Sequence, residues 1–100
     1  MNKIIGNNIS KLKKIGKNHK VKRMYAFGSV CTENFNDNSD IDFIIAFEKR
    51  YFENYVENFF ALEDELKQLF KRKIDLVVEE TIQNPFFINV INRTKTPIYE

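Results

Sequence analysis

The chain is poor in the residues that build disulfides and zinc sites. It contains one cysteine, Cys31, and one histidine, His19. A single cysteine excludes an internal disulfide, and one residue of each type cannot supply the ligand set of a structural zinc ion. A chain without disulfides suits a reducing compartment, and we expect the protein to be cytoplasmic. His19 lies in a basic turn, where we expect its ring to be solvated.

Long apolar runs and signal-peptide features are also absent. No apolar run approaches the roughly 20 residues that are needed to cross a bilayer. The N-terminal segment lacks the apolar core and the small-residue cleavage site of a signal peptide, so we expect no membrane association. With 100 residues, of which 43% are hydrophobic and 30% are charged, the sequence predicts one domain over residues 1–100.

Acidic residues do not occur before Glu33, although the net charge of the whole chain is only +2. The bases of that segment are Lys3, Lys11, Lys13, Lys14, Lys17, Lys20, Lys22 and Arg23. Such asymmetry can indicate a polyanion or an acidic partner, but a solvated helix face explains it equally well. We expect no direct binding to nucleic acid.

Hydrophobic spacing predicts strands alternating with helices, and hence an α/β fold with a small mixed sheet flanked by helices. The predicted strands are 21–27, 41–47, 74–78 and a short edge strand 97–99. A first helix is expected to contain Ile5, Ile9, Leu12 and Ile15, to be capped by Asn7 or Asn8, and to end between residues 16 and 20. A long helix is expected between the second and third strands, with its apolar side running from residue 52 to residue 70. A short helix is expected to begin at Asn84-Pro85 and to end by residue 92.

Three aspartates stand at strand beginnings that should meet at one edge of the sheet. Asp40 and Asp42 open the second strand and Asp75 opens the third, with a helix between the two strands. Such strand-helix-strand units are normally parallel, so both beginnings lie at the same edge. The first two strands lack a full crossover helix, which favours antiparallel pairing and brings Gly28-Ser29, at the end of the first strand, to that edge.

The spacing of these acids predicts a magnesium site. Asp40 and Asp42 are two residues apart on a strand and therefore share a face, whereas Ile41 and Phe43 point to the other face. Neighbouring buried carboxylates repel each other strongly unless a cation is present. Magnesium prefers oxygen ligands and binds through a few carboxylates together with substrate phosphates.

Gly28 and Ser29 have the properties of a phosphate-binding turn. Glycine allows the backbone to approach a phosphate closely, and serine adds a hydroxyl donor. Successive N–H groups at such a turn can form an anion-binding nest. The pattern therefore indicates a nucleotide with magnesium, and phosphoryl or nucleotidyl transfer as the chemistry.

The ordered set Gly28, Ser29, Asp40, Asp42 and Asp75 resembles the signature of the DNA polymerase β-type nucleotidyltransferase superfamily. More closely, the chain resembles the minimal nucleotidyltransferases (MNT), small proteins that are often antitoxins of HEPN-domain toxins. The resemblance runs from about residue 21 to the C-terminus and includes Lys73-Ile74-Asp75-Leu76-Val77 and Pro97-Ile98-Tyr99.

This resemblance implies a magnesium-dependent transfer of AMP from ATP to a hydroxyl, most simply a tyrosine of a HEPN-type toxin. Asp40 and Asp42 would hold magnesium, and Asp75 would bind a second metal ion or accept the proton of the hydroxyl. Gly28 and Ser29 would contact the nucleotide phosphates. Two alternatives stay open: an antitoxin that acts by binding alone, and a transferase for a small molecule of the aminoglycoside type.

One departure from the family concerns phosphate charge. Many relatives carry an arginine shortly after the Gly-Ser pair, whereas this chain has Val30-Cys31-Thr32-Glu33. We expect Lys49, Arg50 or an N-terminal lysine to balance the phosphates instead.

The adjacent phenylalanine pairs Phe59-Phe60 and Phe86-Phe87 cannot share one helix face. At least one ring of each pair is therefore expected at the surface, either as a crowded rim of the core or as a partner-binding surface.

Overall fold

Four strands form one mixed sheet in a computed structural model of the chain, which describes residues 2–100. The strand order across the sheet is β3-β2-β1-β4. The strands are β1 (Val21–Phe27), β2 (Ile41–Phe47), β3 (Ile74–Val78) and β4 (Thr96–Tyr99). The helices are α1 (Lys3–Gly6), α2 (Ile9–Asn18), α3 (Tyr55–Phe70) and α4 (Pro85–Thr94), with 3₁₀ turns at Gly28–Cys31 and Glu79–Thr81. The predicted small mixed sheet flanked by helices is confirmed.

The strand directions follow from the connections between strands. β2 and β3, which are joined through α3, pair in parallel, with Asp42 opposite Asp75. β1 and β2 pair antiparallel, with Phe27 opposite Asp42, and β4 pairs antiparallel with the other side of β1. The parallel unit and the antiparallel first pair are both as predicted. The end of β1 and the beginnings of β2 and β3 therefore share one edge.

One face of the sheet carries the main core and packs against α2 and α3. Its strand residues are Val21, Met24, Ala26, Ile41, Phe43, Ile45, Phe47, Ile74, Leu76 and Ile98. Leu12 from α2 and Leu62 and Leu66 from α3 complete this core and are fully buried. Burying a leucine side chain contributes about 2 kcal/mol, so these helices are held to the sheet mainly by apolar contact.

The opposite face of the sheet is covered more thinly, by α4. Tyr25, Ile44 and Ile91 form a second, smaller apolar cluster there. Asn84 caps α4, because its Oδ1 accepts a hydrogen bond of 2.9 Å from the N–H of Phe86, and Pro85 takes the first helical position as predicted. Strand alternation assigns Asp42 to this thinly covered face, since its neighbours Ile41 and Phe43 belong to the main core.

The helix boundaries differ from the prediction near the N-terminus. Ile5 lies in the separate short helix α1, and Asn8 holds the N-cap position of α2. The side-chain amide of Asn8 donates to the carbonyl of Ile4 over 2.7 Å instead of capping α2. α2 continues through Gly16 to Asn18, because Gly16 is buried against the C-terminal strand and packing there outweighs the weak helix propensity of glycine.

His19 is not solvated, contrary to the expectation from its basic surroundings. Its side chain is 14% exposed, and it bridges the end of α2 to α3. Nδ1 lies 3.1 Å from Oδ1 of Asn58, and Nε2 lies 3.0 Å from Oε2 of Glu65. The amide of Asn58 also donates to the carbonyl of His19 over 2.8 Å. These contacts fix the turn that leads into β1.

Within residues 2–100, no helix has both the length and the hydropathy that are needed to cross a membrane.

Gly16 provides the space in which the C-terminal strand is anchored. The Tyr99 hydroxyl donates to the carbonyl of Val21 over 2.8 Å and lies directly against Gly16. A Cβ atom on Gly16 would overlap this phenol oxygen and would lie 3.0 Å from Cζ of the ring. Burial raises the pKa of Tyr99 to about 12, so the phenol keeps its proton and remains a donor.

Gly16→Ala is therefore expected to lower the free energy of unfolding by about 2 kcal/mol, as overpacking does in other cores. The measurement is urea unfolding followed by circular dichroism. Gly6→Ala is the matched control, because a Cβ atom there meets no atom within 4 Å, and it should be neutral or mildly stabilising. Equal stability of the two variants would contradict this account of Gly16.

Candidate active site

Asp42 and Asp75 face each other across the parallel pair at the beginnings of β2 and β3. Asp42 is half-buried and Asp75 is exposed, so the pair lies at an open edge of the sheet. Burial raises the pKa of Asp42 to about 6, with further contributions from a hydrogen bond to Asp75 and from the charges of Asp75 and Asp40. The two carboxylates are thus close enough for one to hinder the ionisation of the other.

Gly28 borders the pair from the end of β1. Its φ angle is +76°, a conformation that side chains other than glycine rarely adopt. A Cβ atom on Gly28 would overlap Oδ2 of Asp42 and would lie 3.2 Å from its Cγ. Glycine is therefore required here both by the backbone conformation and by the space that Asp42 occupies.

Ser29 lies in the 3₁₀ turn that begins at Gly28. Its carbonyl accepts hydrogen bonds from the N–H of Thr32 at 3.0 Å and from the Thr32 hydroxyl at 2.9 Å. Cys31 is held in the same turn, with its thiol 3.4 Å from the carbonyl of Ala26. These bonds keep the turn closed beside Asp42, in the place where the sequence predicts a phosphate-binding turn.

Asp40 lies beside a base as well as near the acid pair. Its Oδ2 atom is 3.9 Å from Nζ of Lys73, the residue two positions before Asp75. The N–H of Ile41 donates to the carbonyl of Lys73 over 3.2 Å, so the pairing of the two strands extends to this level. The structure therefore groups the three predicted acids at one edge, with Asp42 facing Asp75 and Asp40 facing Lys73.

The donor set at this edge suits magnesium. Its side-chain ligands are carboxylate oxygens. Burial is the main cause of the raised pKa of Asp42, and the neighbouring carboxylates Asp75 and Asp40 add to it, so a bound cation would favour the ionised form. Among residues 2–100, no three acidic, histidine or cysteine side chains already converge as a metal cluster. Asp42 and Asp75 are the pair that the fold brings together, and the metal-binding roles of all three acids stay predictions.

The loop before Asp40 is ordered by its polar side chains. Ser39 Oγ accepts from the N–H of Asn36 over 3.1 Å. Arg72 ties this loop to β3, because its Nη1 donates to the carbonyls of Asn36 at 3.1 Å and of Ser39 at 3.0 Å. Its guanidinium also lies 4.7 Å from the centroid of the Phe35 ring.

Lys49 and Arg50, two of the bases expected to balance the phosphates, lie away from the acidic edge, and the third alternative, an N-terminal lysine, stays a prediction. Both residues follow the end of β2, roughly 20 Å from Asp42 along a strand of this length. Arg50 is instead directed to Glu80, with 3.3 Å between Nε and Oε2. The base at the acidic edge is Lys73, which sequence analysis did not select, although strand alternation places it on the same face as Asp75.

Comparison with known proteins gives matches in sequence and in structure. The sequence model of the family described as Polymerase beta, Nucleotidyltransferase matches residues 10–100. The chain is 39% identical over 79 residues to "Putative protein adenylyltransferase MJ0128" of Methanocaldococcus jannaschii, and the match covers 78% of each protein.

Two crystal structures share the fold. One is described as a toxin-antitoxin with AMP-PNP, with a TM-score of 0.73 and 19% identity over 92% of this chain and 73% of that chain. The other is a tri-AMPylated Shewanella oneidensis HEPN toxin in complex with MNT antitoxin, with a TM-score of 0.67 and 16% identity over 95% of this chain and 71% of that chain. At these identities the likeness concerns the fold.

The raised pKa of Asp42 predicts a pH-dependent change in stability when the protein is free of metal. The folded chain holds the proton of Asp42 to a higher pH than the unfolded chain, so this group lowers the free energy of unfolding as the pH rises from about 4 to about 6. Asp42→Asn removes the penalty. In EDTA at pH 8 the variant should be more stable than the parent by about 1 kcal/mol, or by about 5 °C in Tm. This value is smaller than the pKa shift alone would give, because solvent screens the partly exposed carboxylate.

The parent and Asp42→Asn should have similar stability near pH 4. The measurement is thermal unfolding of both proteins at a series of pH values. Asp37→Asn, at an exposed loop position, is the control and should follow the parent at every pH. A parent that is as stable as Asp42→Asn at pH 8 would show that ionisation of Asp42 does not destabilise the folded chain.

Proposed function

The chain belongs to the polymerase β nucleotidyltransferase family, and from this premise we propose that it transfers AMP from ATP to a tyrosine hydroxyl of a HEPN-domain toxin and thereby acts as an antitoxin. The observation that carries the proposal is the facing pair Asp42 and Asp75, which lies directly against Gly28 at the open edge of the sheet. The name of the relative from M. jannaschii and the AMP groups on the toxin of the neighbouring complex support a protein acceptor.

Asp40 and Asp42 would hold magnesium, with Asp75 beside them. When bound, this ion supplies positive charge to the phosphates and to the oxygen that leaves the phosphorus. Gly28 leaves room at the end of β1 for the carboxylate of Asp42. The hydroxyl of Ser29, the next residue, would donate to an oxygen of the triphosphate. Most of the catalysis in such reactions comes from positioning and from charge neutralisation.

In the proposed reaction, the oxygen of the acceptor hydroxyl forms a bond to the α-phosphorus of ATP. The bond between that phosphorus and the bridging oxygen breaks, and pyrophosphate leaves with the electron pair. Asp75 accepts the proton of the hydroxyl, because it is the exposed member of the carboxylate pair and can be reached from solvent. The toxin leaves with AMP attached through a phosphodiester.

The surface beside the acid pair supports a protein acceptor. Phe86, Phe87 and Ile88 on α4 are 74%, 39% and 37% exposed, which is unusual for a contiguous run of large apolar side chains. The ring centroid of Phe87 lies 6.2 Å from that of Phe27, and Phe27 is the register partner of Asp42. An apolar segment of a partner protein that binds this run would bring its hydroxyl close to the carboxylates.

The test of the function is incubation with ATP, magnesium and a HEPN-domain toxin from the same genome, followed by mass spectrometry of the toxin. The parent should add AMP to the toxin, and Asp42→Asn should reduce the rate at least about 100-fold because the charge that organises the phosphates is lost. Asp37→Asn is the control and should keep the parental rate. Absence of AMP on the toxin with the parent protein would refute the proposal.

The same pair of variants separates catalysis from protection by binding alone. In cells that express the toxin, an enzymatic antitoxin loses protection with Asp42→Asn and keeps it with Asp37→Asn. An antitoxin that acts by binding protects equally well with both variants.

The apolar run on α4 is tested by Phe86→Ala. We expect about a tenfold loss in the efficiency of AMP transfer to the toxin, as is found for truncation of a large side chain at an interface. The matched control is Phe60→Ala on α3, whose ring is also exposed, at 58%, and which should transfer AMP at the parental rate. Equal rates for the two variants would place the toxin elsewhere.

A further inference from the structure

Four charged side chains form two facing pairs at the beginnings of β2 and β3. Asp42 is opposite Asp75 in the strand register. Two residues before each of them, Oδ2 of Asp40 lies 3.9 Å from Nζ of Lys73. Strand alternation assigns all four to the same, thinly covered face of the sheet. We call these four residues the edge quartet. Lys73 is its only base, so its ammonium balances part of the charge of the three acids.

The ion pair between Lys73 and Asp40 is exposed and weak, so the ammonium of Lys73 can exchange this carboxylate for another anion. The side chain of Lys73 is 71% exposed and that of Asp40 is 39% exposed, and such surface pairs are weak because water screens them. Lysine is also a compact charge on a flexible stem with rotatable donors, so it can move to a new anion without disturbing the backbone. The neighbouring base Arg72 differs, because it already donates to the carbonyls of Asn36 and Ser39.

We propose that Lys73 is a nucleotide-binding residue that exchanges one anion for another. In the chain without ligand its ammonium faces the carboxylate of Asp40. When ATP binds with its metal ion, the ammonium moves to an oxygen of the triphosphate and leaves Asp40 available to the cation. The proposal rests on the proposed function in one respect, namely that ATP is the nucleotide bound at the edge quartet.

This exchange predicts opposite effects on the binding of metal and of nucleotide. Lys73→Met leaves the three acids without their balancing charge, so a divalent cation alone should bind more tightly, by about threefold. The same variant lacks a donor to the triphosphate, so ATP with magnesium should bind about tenfold more weakly. A lysine that is merely solvated would change neither affinity, and a lysine that only supports the fold would weaken both.

The experiment measures binding without any acceptor protein. Mn²⁺ alone is titrated by the loss of its free electron paramagnetic resonance signal, and ATP with magnesium is titrated by calorimetry. Lys67→Met is the matched control: it removes the same charge from a similar exposed pair, with 3.3 Å between Nζ and Oε1 of Glu63, but on α3, which covers the other face of the sheet. Lys73→Arg keeps the charge and should retain most of the affinity for ATP.

Tighter binding of Mn²⁺ and weaker binding of ATP by Lys73→Met, with both affinities unchanged in Lys67→Met, support the exchange. The proposal is overturned if both affinities of Lys73→Met change in the same direction, or if they change no more than those of Lys67→Met. It is also overturned if the parent binds no ATP. The proposed function is judged separately: a parent that binds ATP and labels the toxin, with Lys73→Met behaving like Lys67→Met, removes the role of Lys73 alone.

Discussion

The parallel hydrogen bonding between β2 and β3 determines which charged side chains face each other. Asp42 lies opposite Asp75 because Ile41 pairs with Ile74 at the level before it. Both isoleucines are buried in the main core, so a slip of one residue would turn them to solvent and the aspartates into the core. The apolar residues next to the acids thus hold the register on which the candidate site depends.

The two faces of the sheet are buried to different extents. The main core lies on the face covered by α2 and α3, where the large apolar side chains are fully buried. The other face has only the small cluster of Tyr25, Ile44 and Ile91 beneath α4 and therefore leaves the beginnings of the strands uncovered. The candidate site therefore lies on the face opposite the main core, and its mutually repelling carboxylates are not buried among the core side chains.

Much of this architecture follows from local patterns in the sequence. The strands and the directions of β1, β2 and β3 could be predicted because apolar alternation and the lengths of the connections are local properties. The shared edge of Gly28 and the aspartates follows from these directions. The contacts of His19 could not be predicted, since Asn58 and Glu65 are distant in sequence and meet it only after α3 has folded back. Lys49 and Arg50 lie away from the acidic edge for a related reason: they are near the acids in sequence but are at the far end of β2.

The exposure of Asp75 has a consequence for chemical selectivity. A carboxylate that solvent can reach also allows water to compete with any hydroxyl for an activated phosphorus. Under the proposed function, the bound toxin would exclude water from this exposed carboxylate. Hydrolysis of ATP by water would then be suppressed only while the partner is bound. The partner would form part of the active site as well as being the substrate.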